Sequence, residues 1–183
     1  MPRAPRAFEN NTVLHVVNRG NERRQLFDDG ADYADFLRLL RKIKHRHAMR
    51  VIAYVVMPNH WHLIVWPAVV SDLWHFMHDL TGAHAARLRI RTGTRGLGHV
   101  YQRRYYATAL QSDERYLAAI RYVEANPLRA RLVRRAEDWP WSSLSERLGA
   151  GDLVCDGPVS LPAADGWLTL VNAQPIEQPP TTS

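Results

Sequence analysis

The sequence holds a single cysteine, Cys155, among its 183 residues. One thiol can form no internal disulfide and cannot supply the several thiolates of a structural zinc cluster. This excludes a disulfide-stabilised secreted fold and fits a protein of the reducing cytoplasm. The chain also lacks any run of roughly eighteen apolar residues, and no apolar segment of the signal-peptide type follows the basic start Met1–Arg6, so no membrane association is predicted.

Lysine is almost absent, because Lys42 and Lys44 are the only two and the other 22 of the 24 basic residues are arginine. The whole chain has a formal net charge of +6 and a pI of about 9.9. The guanidinium group is a planar fork that can hold two phosphate oxygens at once, which favours a nucleic-acid partner. Genomic base bias would give the same arginine excess without any function.

The charge divides the chain into two parts. Residues 150–183 hold four acidic residues and neither lysine nor arginine, so their net charge is −4. Since the whole chain has a net charge of +6, residues 1–149 have a net charge of +10, the difference between +6 and −4. The length suits one domain. We therefore predict a basic functional domain over 1–149 and an acidic, partly disordered tail over 150–183.

Hydrophobic periodicity predicts the following elements, in chain order. They are a strand at Thr12–Val17, a helix at Asp32–Arg46, strands at Arg50–Met57 and His60–Trp66 around a turn at Pro58–Asn59, a helix at Ser71–Arg91, a strand at Val100–Gln111, and a helix from Ser112 to about Asn126, where Pro127 should end it. This order predicts an α+β fold: a ferredoxin-like βαββαβ antiparallel sheet with helices on one face, plus an additional C-terminal helix that carries a tyrosine.

Two histidines stand two residues apart in the strand that follows the Pro58–Asn59 turn. Successive strand side chains point to opposite faces, so His60 and His62 share one face and Trp61 takes the other. Two imidazoles on a rigid strand can form half of a divalent-metal site. The alternative is a pair of ordinary histidines on a partly exposed sheet face.

The last predicted helix adds a second pair of chemically active residues. Tyr122 and Asn126 are four residues apart, so they lie on one face of the helix. Placed beside His60 and His62, the Asn126 oxygen would complete a site for Mg²⁺ or Mn²⁺, and the Tyr122 oxygen would attack a phosphate bound there. Tyr116 is the rival nucleophile, but the residue four positions further on is an isoleucine, which cannot ligate a metal.

Several other polar residues are given ordinary roles. Glu124 lies on a different helical face from Tyr122 and is expected to be solvated or paired with Arg121. The remaining histidines outside the H-x-H motif are read as core, surface or helix-capping residues; they are His15, His45, His47, His75, His78, His84 and His99.

Three segments resemble the single-tyrosine HUH transposases, also called IS200-like. They are Leu14–Asn21 (LHVVNRGN), Met57–His62 (MPNHWH) and Arg121–Ala130 (RYVEANPLRA), and the similarity covers about residues 10 to 145. The Tyr-x-x-x-Asn pair and the segment Trp139–Ser143 (WPWSS) are most similar to the REP-associated tyrosine transposases.

The resemblance implies a function and a set of site residues. It implies a monomer or homodimer that cleaves and rejoins single-stranded DNA at hairpin-forming palindromes, through a covalent 5′-phosphotyrosine intermediate and with a divalent metal. It makes His60 and His62 metal ligands, Tyr122 the nucleophile and Asn126 a third ligand.

Seven arginines are candidates for contacts with DNA phosphates: Arg19, Arg23, Arg24, Arg103, Arg104, Arg129 and Arg131. Two other functions remain open. One is a non-catalytic DNA-hairpin-binding regulator derived from a transposase, and the other is a metal phosphodiesterase that uses water.

Overall fold

A computed structural model describes residues 8–94, 98–102, 104–149 and 151–173. The strands and helices are β1 (Leu14–Arg19), α1 (Gly30–Arg46), β2 (Arg50–Met57), β3 (His60–Trp66), α2 (Ser71–Arg91), β4 (Tyr106–Ala109), α3 (Asp113–Arg129), α4 (Ser143–Leu148) and α5 (Ala164–Asn172). The four strands form one antiparallel sheet in the order β2-β3-β1-β4. The βαββαβ order with this strand arrangement confirms the predicted ferredoxin-like fold.

Helices cover both faces of the sheet. The connecting helices α1 and α2 pack on one face, where Phe36 and Phe76 join Trp61 in the larger hydrophobic cluster. The additional helix α3 packs on the other face, where Ile120 contributes to a second cluster together with Ile64. Because both faces are covered, β2 is an almost continuous apolar run rather than an alternating one.

The fourth strand is shorter than predicted. Pairing with β1 is limited to Tyr106–Ala109, and the preceding segment touches the sheet through a single bridge between Tyr101 and Gly20. Tyr101 instead lies beneath the sheet, where its hydroxyl accepts a hydrogen bond from Trp61 Nε1 at 3.1 Å and lies 2.6 Å from His84 Nδ1. This contact joins Tyr101 to the cluster that contains Trp61, while its backbone remains bridged to Gly20.

The prediction that Pro127 ends the last helix was wrong. Helix α3 continues to Arg129 with Pro127 inside its final turn. A proline there removes only one N–H group, and the neighbouring carbonyls are paired: Ala130 N donates to Asn126 O at 2.9 Å, and Leu132 N donates to Pro127 O at 3.0 Å. The proline lacks the N–H that would pair with the Val123 carbonyl, but backbone hydrogen bonds close the turn that follows it, and the helix continues to Arg129.

The acidic tail is packed against the domain over residues 151–173. Cys155 N donates to the Val51 carbonyl on the edge strand β2 at 2.9 Å. Helix α5 buries Trp167 and Val171 in the cluster under α3. None of the helices in the described part of the chain combines the length and apolar character that crossing a bilayer requires.

Glu124 is buried, and the expectation that it is solvated or paired with Arg121 was wrong. Its side chain is 0% exposed. It accepts hydrogen bonds from Ser143 Oγ at 2.6 Å, Trp167 Nε1 at 2.7 Å and Arg147 Nε at 3.2 Å. Helix α3 is covered by α4 and α5 on the side away from the sheet, so this face is interior as well. One carboxylate thus joins three helices.

The loop after β1 is fastened to the turn of the β2–β3 hairpin. Gly20 N donates to Asn59 O at 2.9 Å, and Leu26 N donates to Pro58 O at 2.7 Å. Gly20 has an ordinary φ of −59°, but a Cβ atom there would overlap the carbonyl oxygen of Arg24. Glycine is needed at position 20 because the Arg24 backbone approaches too closely to leave room for a side chain.

We expect Gly20→Ala to lower the free energy of unfolding by about 1–3 kcal/mol, since the clash is with backbone that cannot rotate away. Gly82→Ala is the matched control. Gly82 lies in α2 with nothing within 4 Å of an added Cβ, and alanine there should stabilise by about 0.5–1 kcal/mol. Urea unfolding of the two variants measures both values. Equal effects of the same sign would contradict the packing described.

We expect Glu124→Gln to lower the free energy of unfolding by about 1.5–3 kcal/mol, because hydrogen bonds to a buried charge are weakened together. Glu114→Gln, at an exposed position on the same helix, should cost well under 1 kcal/mol. Chemical denaturation of both variants measures the difference. If the two substitutions cost the same, Glu124 does not join the helices as described.

Candidate active site

The two motif histidines lie on the face of β3 that is turned toward α3. Their ring centroids are 5.1 Å apart. Trp61, between them, points into the opposite cluster and packs on Phe36 with centroids 5.7 Å apart. The alternation of a flat strand therefore places both imidazoles on one side.

Helix α3 brings Tyr122 to these imidazoles within a single chain. The Tyr122 ring lies edge-on to His62, with centroids 5.7 Å apart. Asn126 lies one turn further along, where its Nδ2 donates to the Tyr122 carbonyl at 3.2 Å and its side chain interacts with His60. The four predicted residues of the site are thus brought together.

His15 is a fifth member of the site, and the sequence analysis missed it. Its Nε2 lies 2.9 Å from Nδ1 of His62, the two rings lie edge to edge in nearly one plane with centroids 5.2 Å apart, and the Tyr122 ring lies edge-on with its centroid 6.2 Å from that of His15. His15 is on β1, where Val17 faces His62. Strand alternation puts His15 on the same face as Val17, but that signal is useful only once the β1–β3 register is known.

All three imidazoles are biased toward the neutral form. Burial lowers the pKa of His15 to about 4. Burial and the Arg19 charge lower the pKa of His60 to about 4, while the interaction with Asn126 opposes this shift. Burial, followed by the neighbouring His15, His60 and Arg19, holds the pKa of His62 well below its ordinary value. Neutral imidazoles have a lone pair available for a metal ion.

One ring atom of each motif histidine is already occupied. His60 Nδ1 lies 2.7 Å from the Asn59 side-chain oxygen, which can only accept, so Nδ1 carries the proton and Nε2 the lone pair. His62 Nδ1 is occupied by His15. The donors that could serve a metal are the two Nε2 atoms and the amide oxygen of Asn126, whose side chain already contacts His60. In the described ranges no group of three or more His, Cys, Asp or Glu is placed to hold a metal ion, so the amide is needed to complete a set.

The predicted phosphate-binding arginines fall into different places. Arg19 lies opposite His60 in the register of β1 and β3. The Arg129 guanidinium lies 5.0 Å from the centre of the Tyr122 ring. Arg23 and Arg24 lie in the loop fastened to the hairpin turn, and Arg104 is exposed before β4. Arg103 lies outside the described residues.

A basic groove of about 1280 Å³ extends from the end of α3 to α5. Arg129 and Arg131 line it, together with Arg134 and Arg135, which the sequence analysis did not select. Asp165 on α5 is the one acidic residue among its described lining residues. Guanidinium groups along one open groove can contact phosphate oxygens.

The rival residues lie away from this site. Tyr116 is buried in the cluster between α3 and the tail, its hydroxyl faces Gly157, and burial raises its pKa to about 12. His75 and His78 are exposed on α2, whereas His84 is buried beside Tyr101. Tyr122 is therefore the one tyrosine of α3 that contacts the imidazoles.

Residues 9–126 match the family described as "Transposase IS200 like". The chain therefore belongs to the IS200-like transposase family. It is 26% identical to the REP-associated tyrosine transposase of Escherichia coli (strain K12) over 140 residues, which are 76% of this chain and 80% of that protein. This similarity confirms the resemblance to REP-associated tyrosine transposases.

A solved structure has the same fold. It is described as a REP-associated tyrosine transposase bound to a REP hairpin, and it superposes with a TM-score of 0.66 at 20% identity, covering 90% of this chain and 96% of the other. A putative transposase of Deinococcus radiodurans r1 gives a TM-score of 0.47 at 19% identity, covering 62% of this chain and 90% of the other.

We expect the metal-free protein to lose stability as the pH falls from 6.5 to about 4. His84 illustrates the sign: burial and the nearby Arg91 and Arg87 lower its folded pKa to about 4, so below pH 6.5 the unfolded chain binds a proton that the folded chain does not. For His84 alone, the difference in proton binding lowers the free energy of unfolding by about 2 kcal/mol at pH 5. His84→Gln should remove that share of the pH dependence.

The control is His78→Gln, at an exposed position four residues from Trp74 on the same helix. It should leave the pH profile of wild type unchanged. Urea unfolding in EDTA at several pH values between 4 and 7 provides the measurement. A flat profile in wild type would show that the buried imidazoles are protonated in the fold.

Proposed function

We propose that the protein is a metal-dependent, single-strand-specific DNA transesterase that cleaves and rejoins DNA at hairpin-forming palindromes through Tyr122. The observation that carries this proposal is the contact of the Tyr122 ring with the buried pair His15 and His62 of its own chain. Family membership supports a transposase, and the E. coli relative supports the tyrosine type.

The residues present fit a divalent cation. His60, His62 and Asn126 would hold Mg²⁺ or Mn²⁺. A cation bound there would polarise the scissile phosphate and offset the negative charge that builds up on its oxygens. The low pKa of both imidazoles means that neither needs to lose a proton before binding it.

The phenol oxygen of Tyr122 is the nucleophile in this proposal. It attacks phosphorus in line, so that an oxygen–phosphorus bond forms while the bond to the 3′ oxygen breaks. The phenol proton passes to solvent, and the departing 3′ oxygen takes up a proton to become a hydroxyl. The 5′-phosphotyrosine ester keeps the energy of the broken bond, so attack by another 3′-hydroxyl rejoins DNA without ATP.

The charge around the tyrosine suits a DNA strand. Arg129 links the Tyr122 ring to the groove that Arg131, Arg134 and Arg135 also line, of which Arg135 is paired with Glu137. These contacts are independent of sequence and weaken as salt rises. The related structure is described as bound to a REP hairpin, and a hairpin flanked by single strands is the substrate we propose for this protein.

We expect Tyr122→Phe to abolish cleavage and the covalent protein–DNA adduct while hairpin affinity is retained, because only the attacking oxygen is removed. Tyr116→Phe is the control on the same helix and should form the adduct as wild type does. Hairpin single strands labelled at the 3′ end are incubated with each protein in Mg²⁺ or Mn²⁺ and separated on a denaturing gel.

Three results would reject the proposal. An adduct in Tyr122→Phe means another nucleophile. Cleavage without any adduct in wild type points to the water-dependent phosphodiesterase. Tight hairpin binding with neither cleavage nor adduct in Mn²⁺ points to the non-catalytic regulator.

A further inference from the structure

Each motif histidine has a partner at the same ring atom. The Asn59 side-chain oxygen lies 2.7 Å from Nδ1 of His60, and Nε2 of His15 lies 2.9 Å from Nδ1 of His62. Partners of this kind fix the orientation and the tautomer of metal-binding histidines. The Asn59 oxygen can only accept, so it leaves a single arrangement for His60.

The contact between His15 and His62 allows two arrangements of one shared proton. If His15 donates from Nε2, then the proton of neutral His62 is on its own Nε2, and His62 has no free lone pair. If His62 donates from Nδ1, then His15 accepts through Nε2, and the lone pair on His62 Nε2 is free. Only the second arrangement suits a metal ligand.

We propose that His15 is a positioning residue that accepts the Nδ1 proton of His62 and thereby keeps His62 Nε2 free to bind a divalent cation. The inference rests on the proposed function in that it assigns the cation to His62. It adds a residue from a different strand, one that would touch neither the cation nor the DNA.

The surroundings of His15 suit this role. Its side chain is only 9% exposed, which keeps water from replacing it as the acceptor. The neighbouring strands β1 and β3 set its position relative to His62 through continuous antiparallel pairing from Leu14 to Arg19. The two ring planes are nearly parallel, at 17°, and with centroids 5.2 Å apart and nitrogens 2.9 Å apart the rings lie edge to edge, so the contact is an in-plane hydrogen bond.

Two substitutions separate acceptance of the proton from simple packing. His15→Gln places an amide oxygen near the position of Nε2 and can still accept the proton, whereas His15→Leu fills the space but cannot. Mn²⁺ alone, titrated into each full-length protein without DNA and followed by electron paramagnetic resonance, gives the affinity. We expect leucine to weaken Mn²⁺ binding about 10–100-fold and glutamine to restore most of that loss.

A second measurement needs neither metal nor variant. Imidazole ¹⁵N shifts in metal-free wild type report which ring nitrogen of His62 carries the proton, and we expect Nδ1.

His84→Gln is the control for the Mn²⁺ titration, because it replaces a buried histidine in the opposite cluster and should leave Mn²⁺ affinity unchanged. A proton on His62 Nε2 in wild type, an unchanged Mn²⁺ affinity in His15→Leu, or equal losses in leucine and glutamine variants would each overturn the inference.

These outcomes are separate from those of the proposed reaction. Mn²⁺ binding does not require the phenol, so the titration can be repeated in Tyr122→Phe. A protein that binds Mn²⁺ in a His15-dependent way but forms no DNA adduct would retain this inference and lose the proposed reaction. If wild type forms the adduct but the His15 substitutions leave its Mn²⁺ affinity unchanged, the proposed reaction is retained and this inference is lost.

Discussion

The site depends on the packing of α3 across the sheet face that carries the imidazoles. Ile120 and Val123 enter the same cluster as Val55 and Ile64, which fixes the rotation of the helix. At that rotation Tyr122 lies at the edge of the cluster, beside His62, rather than inside it. Apolar burial therefore determines where the phenol lies, and no hydrogen bond between Tyr122 and a histidine is required to hold it there.

The other side of α3 is secured by residues beyond the part of the chain that matches the transposase family. The family match ends at residue 126, whereas the partners of Glu124 lie on α4 and α5. The acidic tail thus contributes Trp167 to the position of α3 and Asp165 to the basic groove. It acts as part of the domain in both respects.

Desolvation and positive charge act together on the imidazoles. Burial removes water, and Arg19 adds a cation, so both effects disfavour the imidazolium form of His60 and His62. The same arginine charge would attract a phosphate. A site with neutral imidazoles and positive charge around them suits an anionic substrate.

Local patterns were sufficient to predict most of the fold and the proximity of four residues of the candidate site. The pleat of one strand places His60 and His62 on the same face, and the pitch of one helix does the same for Tyr122 and Asn126. Neither prediction needs tertiary information. His15 and Glu124 were misread because their roles depend on partners 47 and 19 or more residues away.

The measurement that tests the central claim most directly is the position of the DNA on the protein after reaction with a hairpin substrate in Mn²⁺. Trypsin cuts after Arg115, Arg121 and Arg129, which separates Tyr116 and Tyr122 into different peptides. Mass spectrometry of the digested adduct should find the nucleotide on the peptide Tyr122–Arg129. A nucleotide on the peptide Tyr116–Arg121, or on any other tyrosine, would contradict the assignment of Tyr122 as the residue that α3 brings to the imidazoles.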